Sequence, residues 1–174
     1  MKFLATLGGV AVLAWSARAE EVFPRADWRE APNPLASEFA EKGGMLATYA
    51  GPYPKSFNYY LDQNVTSAEL FGQLYETLLA QNPVTLELEP LLADRCVLGD
   101  DRKTFTFHVN PLAKWSDGRP VTAEDVRWTF ATILDPKNLT GPHKIGLERF
   151  EPPEILDEAT VRFVAKEVHW ENLL

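Results

Sequence analysis

Histidine and cysteine are among the residue types that could support metal or acid–base chemistry, and this chain has few of them. The three histidines are His108, His143 and His169, and the single cysteine is Cys96. The histidines lie too far apart for the H-x-x-x-H spacing with which one helix presents two ligands to zinc. The chain also lacks a G-x-S-x-G nucleophile elbow and a glycine-rich phosphate loop. We therefore predict no catalytic residue, no metal site and no cofactor.

The other polar candidates have structural explanations. Glu124 and Asp125 are adjacent carboxylates in the first turn of a predicted helix, where they interact favourably with the helix dipole. Asp101 lies in a predicted turn. His108 lies on the polar face of an alternating strand, so we predict a solvated or hydrogen-bonded imidazole. These interpretations favour a binding protein over an enzyme.

Residues 1–19 have the composition of a secretory signal peptide. Residues 3–17 carry no charge, and Ala17-Arg18-Ala19 forms an A-x-A cleavage site ahead of Glu20. The apolar run is shorter than the ~20 residues of a membrane-spanning helix. The alternative is an uncleaved N-terminal anchor. We predict a periplasmic location, with an extracellular one as the alternative.

Charge restricts the partners further. The 174 residues carry a formal net charge of −8, with 45% hydrophobic and 24% charged residues, a composition typical of globular domains. Binding to nucleic acid needs clustered lysines and arginines that neutralise phosphates. An acidic chain without such clusters is therefore predicted to have no nucleic-acid partner.

Local patterns predict an α/β (mixed) fold that begins with an extended arm. Residues 20–42 are rich in proline and charge and have no sustained periodicity, which is typical of an arm rather than a helix or strand. Gly43 and Gly44 mark the boundary after it. The apolar run at 45–49 then predicts a short buried strand.

Two helices are predicted from apolar spacing and capping signals. Apolar residues recur with helical spacing over 67–80, and Thr66 begins a T-x-x-E capping box. The second helix has Thr122 as its N-cap and extends to about residue 134, with Asp125 three residues after the cap.

Strands are predicted from period-two alternation. Residues 104–109 alternate threonine or histidine with phenylalanine or valine, and 96–98 supplies the other strand of a hairpin. Residues 85–92 predict a strand or extended loop, and 159–166 a final alternating strand. Within the hairpin, Cys96 is predicted to be a small buried apolar residue rather than a reactive thiol.

The last residues predict the start of a helical element. Residues 169–174 include Trp170, Leu173 and Leu174, which are apolar and lack a capping signal. We expect the sequence to be the N-terminal piece of a longer protein.

Four segments of the sequence carry a family resemblance. They are LYETLL at 74–79, LEPLLA at 88–93, FTFHV at 105–109 and KWSDGRPVTAEDV at 114–126. Together they resemble the oligopeptide/dipeptide (family 5) extracellular solute-binding proteins, the substrate receptors of bacterial ABC importers. Residues 150–155 and 169–170 are most similar to the subgroup that imports larger peptides, including microcin C. The resemblance covers about residues 43–174.

The resemblance implies a periplasmic-binding-protein-like type II fold with two lobes around a cleft. Residues 43–75 would begin the first lobe, and 76–174 would form most of its extra subdomain, both incomplete. This sequence departs from the family at two places. Cys96 stands where the family commonly has a tryptophan. Residues 110–113 stand where the family usually has a basic residue and a glycine before its Lys-Trp pair.

The resemblance also implies a function and a site. The receptor would capture oligopeptides in the periplasm as a monomer and deliver them to an inner-membrane ABC permease. Gln63, Asn64 and Val65, in the loop 56–66, match positions that contact the peptide backbone, and His143 matches a cleft-edge aromatic position. The alternative for the loop is an ordinary surface loop. The alternative functions are the same receptor for a nickel chelate, haem or sugar, and a secreted hydrolase.

The tryptophan-containing motif at 114–126 has a structural interpretation that we prefer to ligand binding. Asp117 and Gly118 would form a turn, and Thr122 would cap the following helix. Trp115 would fill the junction between sheet and helix.

Overall fold

The computed structural model describes residues 20–23, 37, 39, 41, 43–45, 47, 51, 55–56, 58, 60 and 64–173. The predicted signal peptide and Gln63 lie outside the described residues. Of the strand predicted at 45–49, only Met45 and Ala47 are described, and both lie outside strands.

The described chain forms one antiparallel sheet, a separate hairpin and three helices. The sheet contains five strands in the order β1 (Glu21–Phe23), β4 (Ala93–Leu98), β5 (Thr104–Val109), β7 (Thr160–Val164) and β6 (Glu154–Ile155). The hairpin consists of β2 (Leu79–Gln81) and β3 (Leu88–Pro90). The helices are α1 (Val65–Leu74), α2 (Ala123–Leu134) and α3 (His143–Leu147), and a 3-10 turn follows at Trp170–Leu173. The predicted mixed α/β class is confirmed.

The alternation predicted for β5 is present in the structure. Phe105, Phe107 and Val109 occupy every second position of the strand, so their side chains point to the same face of the sheet. All three are buried on that face. Phe163 on β7 lies opposite Phe105 and makes an edge-to-face contact with Phe107, with ring centroids 5.8 Å apart. Phe130 of α2 contacts Phe163 at the same centroid distance and closes the core from the helix side.

Helix α2 begins at the predicted capping box. The Thr122 backbone N–H donates to Asp125 Oδ2 at 2.8 Å, and the Asp125 N–H donates to Thr122 Oγ1 at 3.4 Å. The Ala123 N–H donates to the Glu158 carbonyl at 2.9 Å, which ties the start of the helix to the loop before β7. The helix ends at Leu134, so this prediction is confirmed at both ends.

The β4–β5 connection is stabilised by a carboxylate. Asp101 accepts hydrogen bonds from Thr104 Oγ1 at 2.6 Å and from the backbone N–H groups of Lys103 and Thr104, both at 2.9 Å. These bonds, led by the threonine hydroxyl, lower the pKa of Asp101 below its ordinary value. The prediction that Asp101 serves a turn is confirmed.

The prediction for α1 is wrong at both ends. The helix begins at Val65 with Asn64 as its N-cap, rather than after a Thr66 cap, and it ends at Leu74 instead of continuing to 80. Residues 75–78 instead lie outside helices and strands, and Leu79 begins β2. The Leu92 N–H donates to the Thr77 carbonyl at 3.1 Å, and the Ala93 N–H donates to the Leu78 carbonyl at 2.8 Å. Leu78 and Leu79 pack on the core from this non-helical segment. The pairing with residues distant in sequence overrides the local helical spacing.

The predicted arm contains a strand at its start. Glu21, Val22 and Phe23 pair antiparallel with β4, and Phe23 packs against the core. The Glu21 carboxylate forms an ion pair with Arg102. Because β1 occupies the outer side of β4, it covers a sheet edge that would otherwise be open to pairing. Strand β6 and helix α3 were also absent from the sequence prediction.

The turn at 115–120 forms as predicted, but its tryptophan is not buried. Gly118 has φ +88°, a conformation that glycine adopts without strain, and its N–H donates to the Trp115 carbonyl at 2.9 Å. The Asp117 carboxylate accepts from the N–H and Nε of Arg119. Trp115 remains 44% exposed, so the prediction that it fills the sheet–helix junction is wrong.

The capping box should contribute measurably to stability. Thr122→Ala should lower the free energy of unfolding by about 1 kcal/mol, because the Asp125 N–H loses its acceptor. Asp125→Ala should cost a similar amount, and the double variant should cost less than the sum, since both changes remove the same reciprocal pair. Urea denaturation measures each value. Glu124→Gln, at an exposed ion pair with Arg127, is the matched control. Strictly additive losses would contradict the reciprocal box.

The single cysteine should be unreactive in the native protein. Cys96 is fully buried beside Phe107, and desolvation raises the pKa of its thiol to about 12, so the nucleophilic thiolate is scarce at neutral pH. We expect no labelling by iodoacetamide until urea unfolds the chain. Cys96→Ser should lower the free energy of unfolding by about 1–3 kcal/mol, because a hydroxyl replaces an apolar contact. Rapid labelling of the folded protein would refute this assignment.

Candidate functional site

Two of the three predicted loop positions fall at the start of α1. Asn64 Oδ1 accepts from the Ser67 backbone N–H at 2.9 Å, and the Asn64 carbonyl accepts from Ala68 at 3.0 Å. Val65 is the first helical residue, and its side chain is 75% exposed. Gln63 lies outside the described residues. The asparagine therefore has a defined structural role, and the adjacent valine presents an apolar side chain to solvent.

His143 is the first residue of α3 and is positioned from the end of α2. Its N–H donates to the Thr140 carbonyl at 3.2 Å, and Thr140 Oγ1 in turn donates to the Ile133 carbonyl at 2.6 Å. Lys144 Nζ donates to the Asp135 carbonyl at 3.0 Å. These bonds satisfy carbonyl groups at the C-terminal end of α2, which has no basic residue in its last turn. They also fix the place where the His143 side chain emerges.

The structure brings His143 together with the predicted ligand loop. The imidazole contacts the Tyr60 ring edge to face, with centroids 5.1 Å apart and an interplanar angle of 87°. Tyr60 belongs to the loop 56–66, where its N–H donates to Asn58 Oδ1 at 3.0 Å. The Asn58 N–H donates to Ser56 Oγ at the same distance, so short-range side-chain turns shape this part of the loop. Two segments distant in sequence therefore meet at an aromatic pair.

Sequence reasoning missed Tyr60. The signal was present, since Tyr60 is an aromatic residue beside asparagine and serine in a loop that had already been assigned to ligand contact. The pairing with His143 carries no local signal, because neither periodicity nor capping relates residues this far apart in the chain. We describe Tyr60, Asn64, Val65 and His143 as the aromatic loop site.

The aromatic loop site combines polar and apolar side chains. Its side chains are an imidazole, a phenol, a carboxamide and an exposed isopropyl group, which can form hydrogen bonds and apolar contacts. Across the described part of the chain, no group of three His, Cys, Asp or Glu residues could hold a metal ion. None of the helices described there is long and apolar enough to cross a bilayer.

The other two histidines have charged neighbours away from this site. His108 Nδ1 lies 2.8 Å from Asp94 Oδ1 on a half-exposed face, as predicted for a hydrogen-bonded imidazole. His169 Nδ1 lies 3.2 Å from Arg149 Nη1 and accepts from the Glu171 N–H at 3.2 Å. These contacts tie strands and turns together rather than assembling a nucleophile and its base.

Comparison with known families places most of the described sheet in one group. The sequence profile described as "Bacterial extracellular solute-binding proteins, family 5 Middle" matches residues 87–173. A protein of Brucella melitensis, described by its name as a binding protein, is 32% identical over 154 residues, which are 82% of this chain and 24% of that protein. "Di/tripeptide-binding protein 4" of Pseudomonas aeruginosa is 33% identical over 147 residues, or 75% of this chain and 28% of its own length.

Solved structures agree with this placement. Haemophilus influenzae OppA, in complex with the peptide RPPGFSPFR, matches with a TM-score of 0.63 and 27% identity over 71% of this chain and 27% of that chain. AgaA of A. tumefaciens R10, in complex with agropinic acid, matches with a TM-score of 0.62 and 25% identity over 69% of this chain and 24% of its own. The chain thus spans about a quarter of the length of these relatives. The predicted periplasmic-binding-protein-like fold is confirmed.

The N-cap assigned to Asn64 can be tested by its energetics. Asn64→Ala should lower the free energy of unfolding by about 1 kcal/mol, because the Ser67 N–H loses its side-chain acceptor. Asn64→Asp preserves that acceptor and should retain most of the stability. Val65→Ala, at an exposed side chain, is the neighbouring control. Urea denaturation followed by far-ultraviolet circular dichroism measures all three, and equal losses for Asn64→Ala and Asn64→Asp would contradict the cap.

Proposed function

This chain belongs to the bacterial extracellular solute-binding proteins of family 5, and we propose that it takes part in capturing oligopeptides for a bacterial ABC importer. The observation that carries the peptide assignment is its 33% identity to a di/tripeptide-binding protein over three quarters of the chain. The structural match to OppA in complex with a nonapeptide supports the same ligand class. The relatives are described as binding proteins, which favours a receptor over a hydrolase.

The aromatic loop site has the side chains that a peptide ligand requires. A peptide presents alternating amide donors and acceptors along its backbone, together with side chains of varied polarity. An imidazole and a phenol at the edge of a cleft can hydrogen-bond to the backbone groups, and the exposed Val65 side chain can contact an apolar residue. In this proposal Tyr60 and His143 act as one wall of the peptide site.

A non-peptide solute is the second candidate. AgaA was solved with agropinic acid, and its TM-score with this chain is nearly that of OppA. The same fold therefore accommodates small carboxylated solutes. A nickel chelate, haem or sugar would be further ligands of this type.

The finer assignments are also proposals. The similarity of residues 150–155 and 169–170 supports assignment to the subgroup that takes larger peptides, including microcin C. Export through residues 1–19 would place a monomeric receptor in the periplasm, where an inner-membrane permease would receive the peptide. Residues 43–75 would begin the first lobe, and 76–174 would form most of its extra subdomain, within a longer receptor.

Histidine NMR signals test peptide binding at the aromatic loop site. Titration of the chain with RPPGFSPFR and with trialanine should shift the imidazole signals of His143, while those of His108 and His169 serve as internal controls. We expect weak binding, with a Kd of about 1 mM, because the chain spans about a quarter of its relatives' length and encloses little of the ligand. His143→Ala should weaken binding roughly fivefold, whereas His169→Ala should not.

The same titration separates the two candidates. A shift of the His143 signals with agropinic acid, and with neither peptide, would overturn the peptide assignment in favour of a small carboxylated solute. A shift confined to His108 or His169 would refute the aromatic loop site.

A further inference from the structure

A second surface, away from the aromatic loop site, has the features of a binding site. A hollow of about 620 Å³ lies between the first turns of α2 and the turn that precedes the helix. Its lining includes Trp115 and Trp128, with Arg119, Glu124 and Asp125 around them. The volume falls within the roughly 300–1,000 Å³ typical of small-ligand sites. His143 is held at the opposite end of the same helix, through Lys144 and Asp135.

Both tryptophans of the hollow are exposed. Trp115 is 44% and Trp128 is 64% accessible, although indole rings are among the side chains that gain most from burial. On α2 the apolar residues Phe130 and Ile133 face the core, so Trp128 is not needed to attach the helix to the sheet. Two exposed indoles in one concave surface are a feature of interaction sites.

The walls of the hollow are fixed by hydrogen bonds within the chain. The backbone N–H of Trp115 donates to the Arg119 carbonyl, and the backbone N–H of Gly118 donates to the Trp115 carbonyl, both at 2.9 Å. The Val121 N–H donates to the Ala113 carbonyl at 3.1 Å, and the capping box of α2 follows directly. Binding to such a prearranged surface costs little ordering of the protein.

The charges around the indoles compensate one another. The Arg119 guanidinium lies 2.7 Å from Asp117 Oδ2, and Arg127 Nη2 lies 2.7 Å from the Glu124 carboxylate. Asp125 is engaged in the capping box at the positive end of the helix dipole. An ionic ligand would therefore gain little net attraction. A polyanion would also meet a chain of net charge −8.

We propose that this hollow binds neutral pyranose rings of a glycan chain. One face of a pyranose is a layer of C–H groups that packs on an indole, and its rim carries hydroxyls that both donate and accept hydrogen bonds. Trp115 and Trp128 supply the stacking surfaces. The guanidinium of Arg119 and the carboxylate of Glu124 supply planar donors and acceptors already held in place by their ion pairs. The combination of indole faces with hydrogen-bonding groups at their edges matches an uncharged, polyhydroxylated ligand with an apolar face.

Calorimetric titration with neutral oligosaccharides tests the proposal. Chitotetraose and cellotetraose should bind the chain in the millimolar range, and Trp128→Ala should weaken binding at least about tenfold by removing one stacking surface. Trp128→Phe should recover part of the affinity, because it restores an aromatic face. Leu139→Ala, at an apolar residue that is 81% exposed, is the matched control. The accessible position of Trp128 predicts a folded variant, and a thermal melt verifies this before titration.

Several outcomes would overturn the proposal. One is the absence of heat with either oligosaccharide up to 20 times the expected ~1 mM Kd. Another is binding that Trp128→Ala leaves unchanged. A third is sedimentation evidence that Trp128→Ala abolishes self-association of the chain without affecting sugar binding, which would assign the hollow to a second copy. Peptide titration of Trp128→Ala should match the unmodified chain, so failure here and failure of the peptide assignment are distinguishable.

Discussion

Phe163 lies at the centre of an aromatic cluster on which the described fold depends. Its ring contacts Phe107 at 5.8 Å, Phe130 at 5.8 Å and Phe150 at 6.0 Å between centroids, all in tilted or edge-to-face geometry. These three partners belong to β5, to α2 and to the segment that pairs with the end of β7. One strand residue therefore joins sheet, helix and return segment. Since the chain has a single cysteine, this apolar packing supplies the stability that disulfides provide in many exported domains.

Fixing α2 on the sheet has consequences at both of its ends. At the N-terminal end, Thr122 and Asp125 connect the helix to the turn that presents Trp115, so the hollow is formed by residues close in sequence. At the C-terminal end, Thr140 and Lys144 bind carbonyl groups of the last turn and thereby position α3 and His143. The same helix thus positions two surfaces of different chemistry, one at each of its ends.

Elements whose signals agree locally could be predicted from the sequence. Strand β5 and helix α2 combine a correct period with a terminal signal. The strand was predicted with its observed bounds, and the helix with its observed N-cap and an end at about residue 134. The end of α1 could not be predicted, because Leu74 and Leu78 continue a helical spacing. In the structure the carbonyls of Thr77 and Leu78 instead accept hydrogen bonds from residues 92 and 93. Strand β1 failed for the same reason, since its three residues become a strand only by pairing with β4. Within the aromatic loop site, Asn64, Val65 and His143 were predicted from the family resemblance, whereas Tyr60 and its contact with His143 came only from the structure.

The motif that identifies the family serves to build the fold, and this explains how relatives with one fold hold different ligands. Asp117 binds Arg119, Gly118 adopts a positive φ, and the Thr122 side chain caps α2. The Asp117 carboxylate and the Thr122 hydroxyl are thus each engaged in a structural hydrogen bond. A profile match over residues 87–173 is accordingly compatible with a peptide in OppA and with agropinic acid in AgaA. Side chains that distinguish one ligand from another therefore need not belong to this motif.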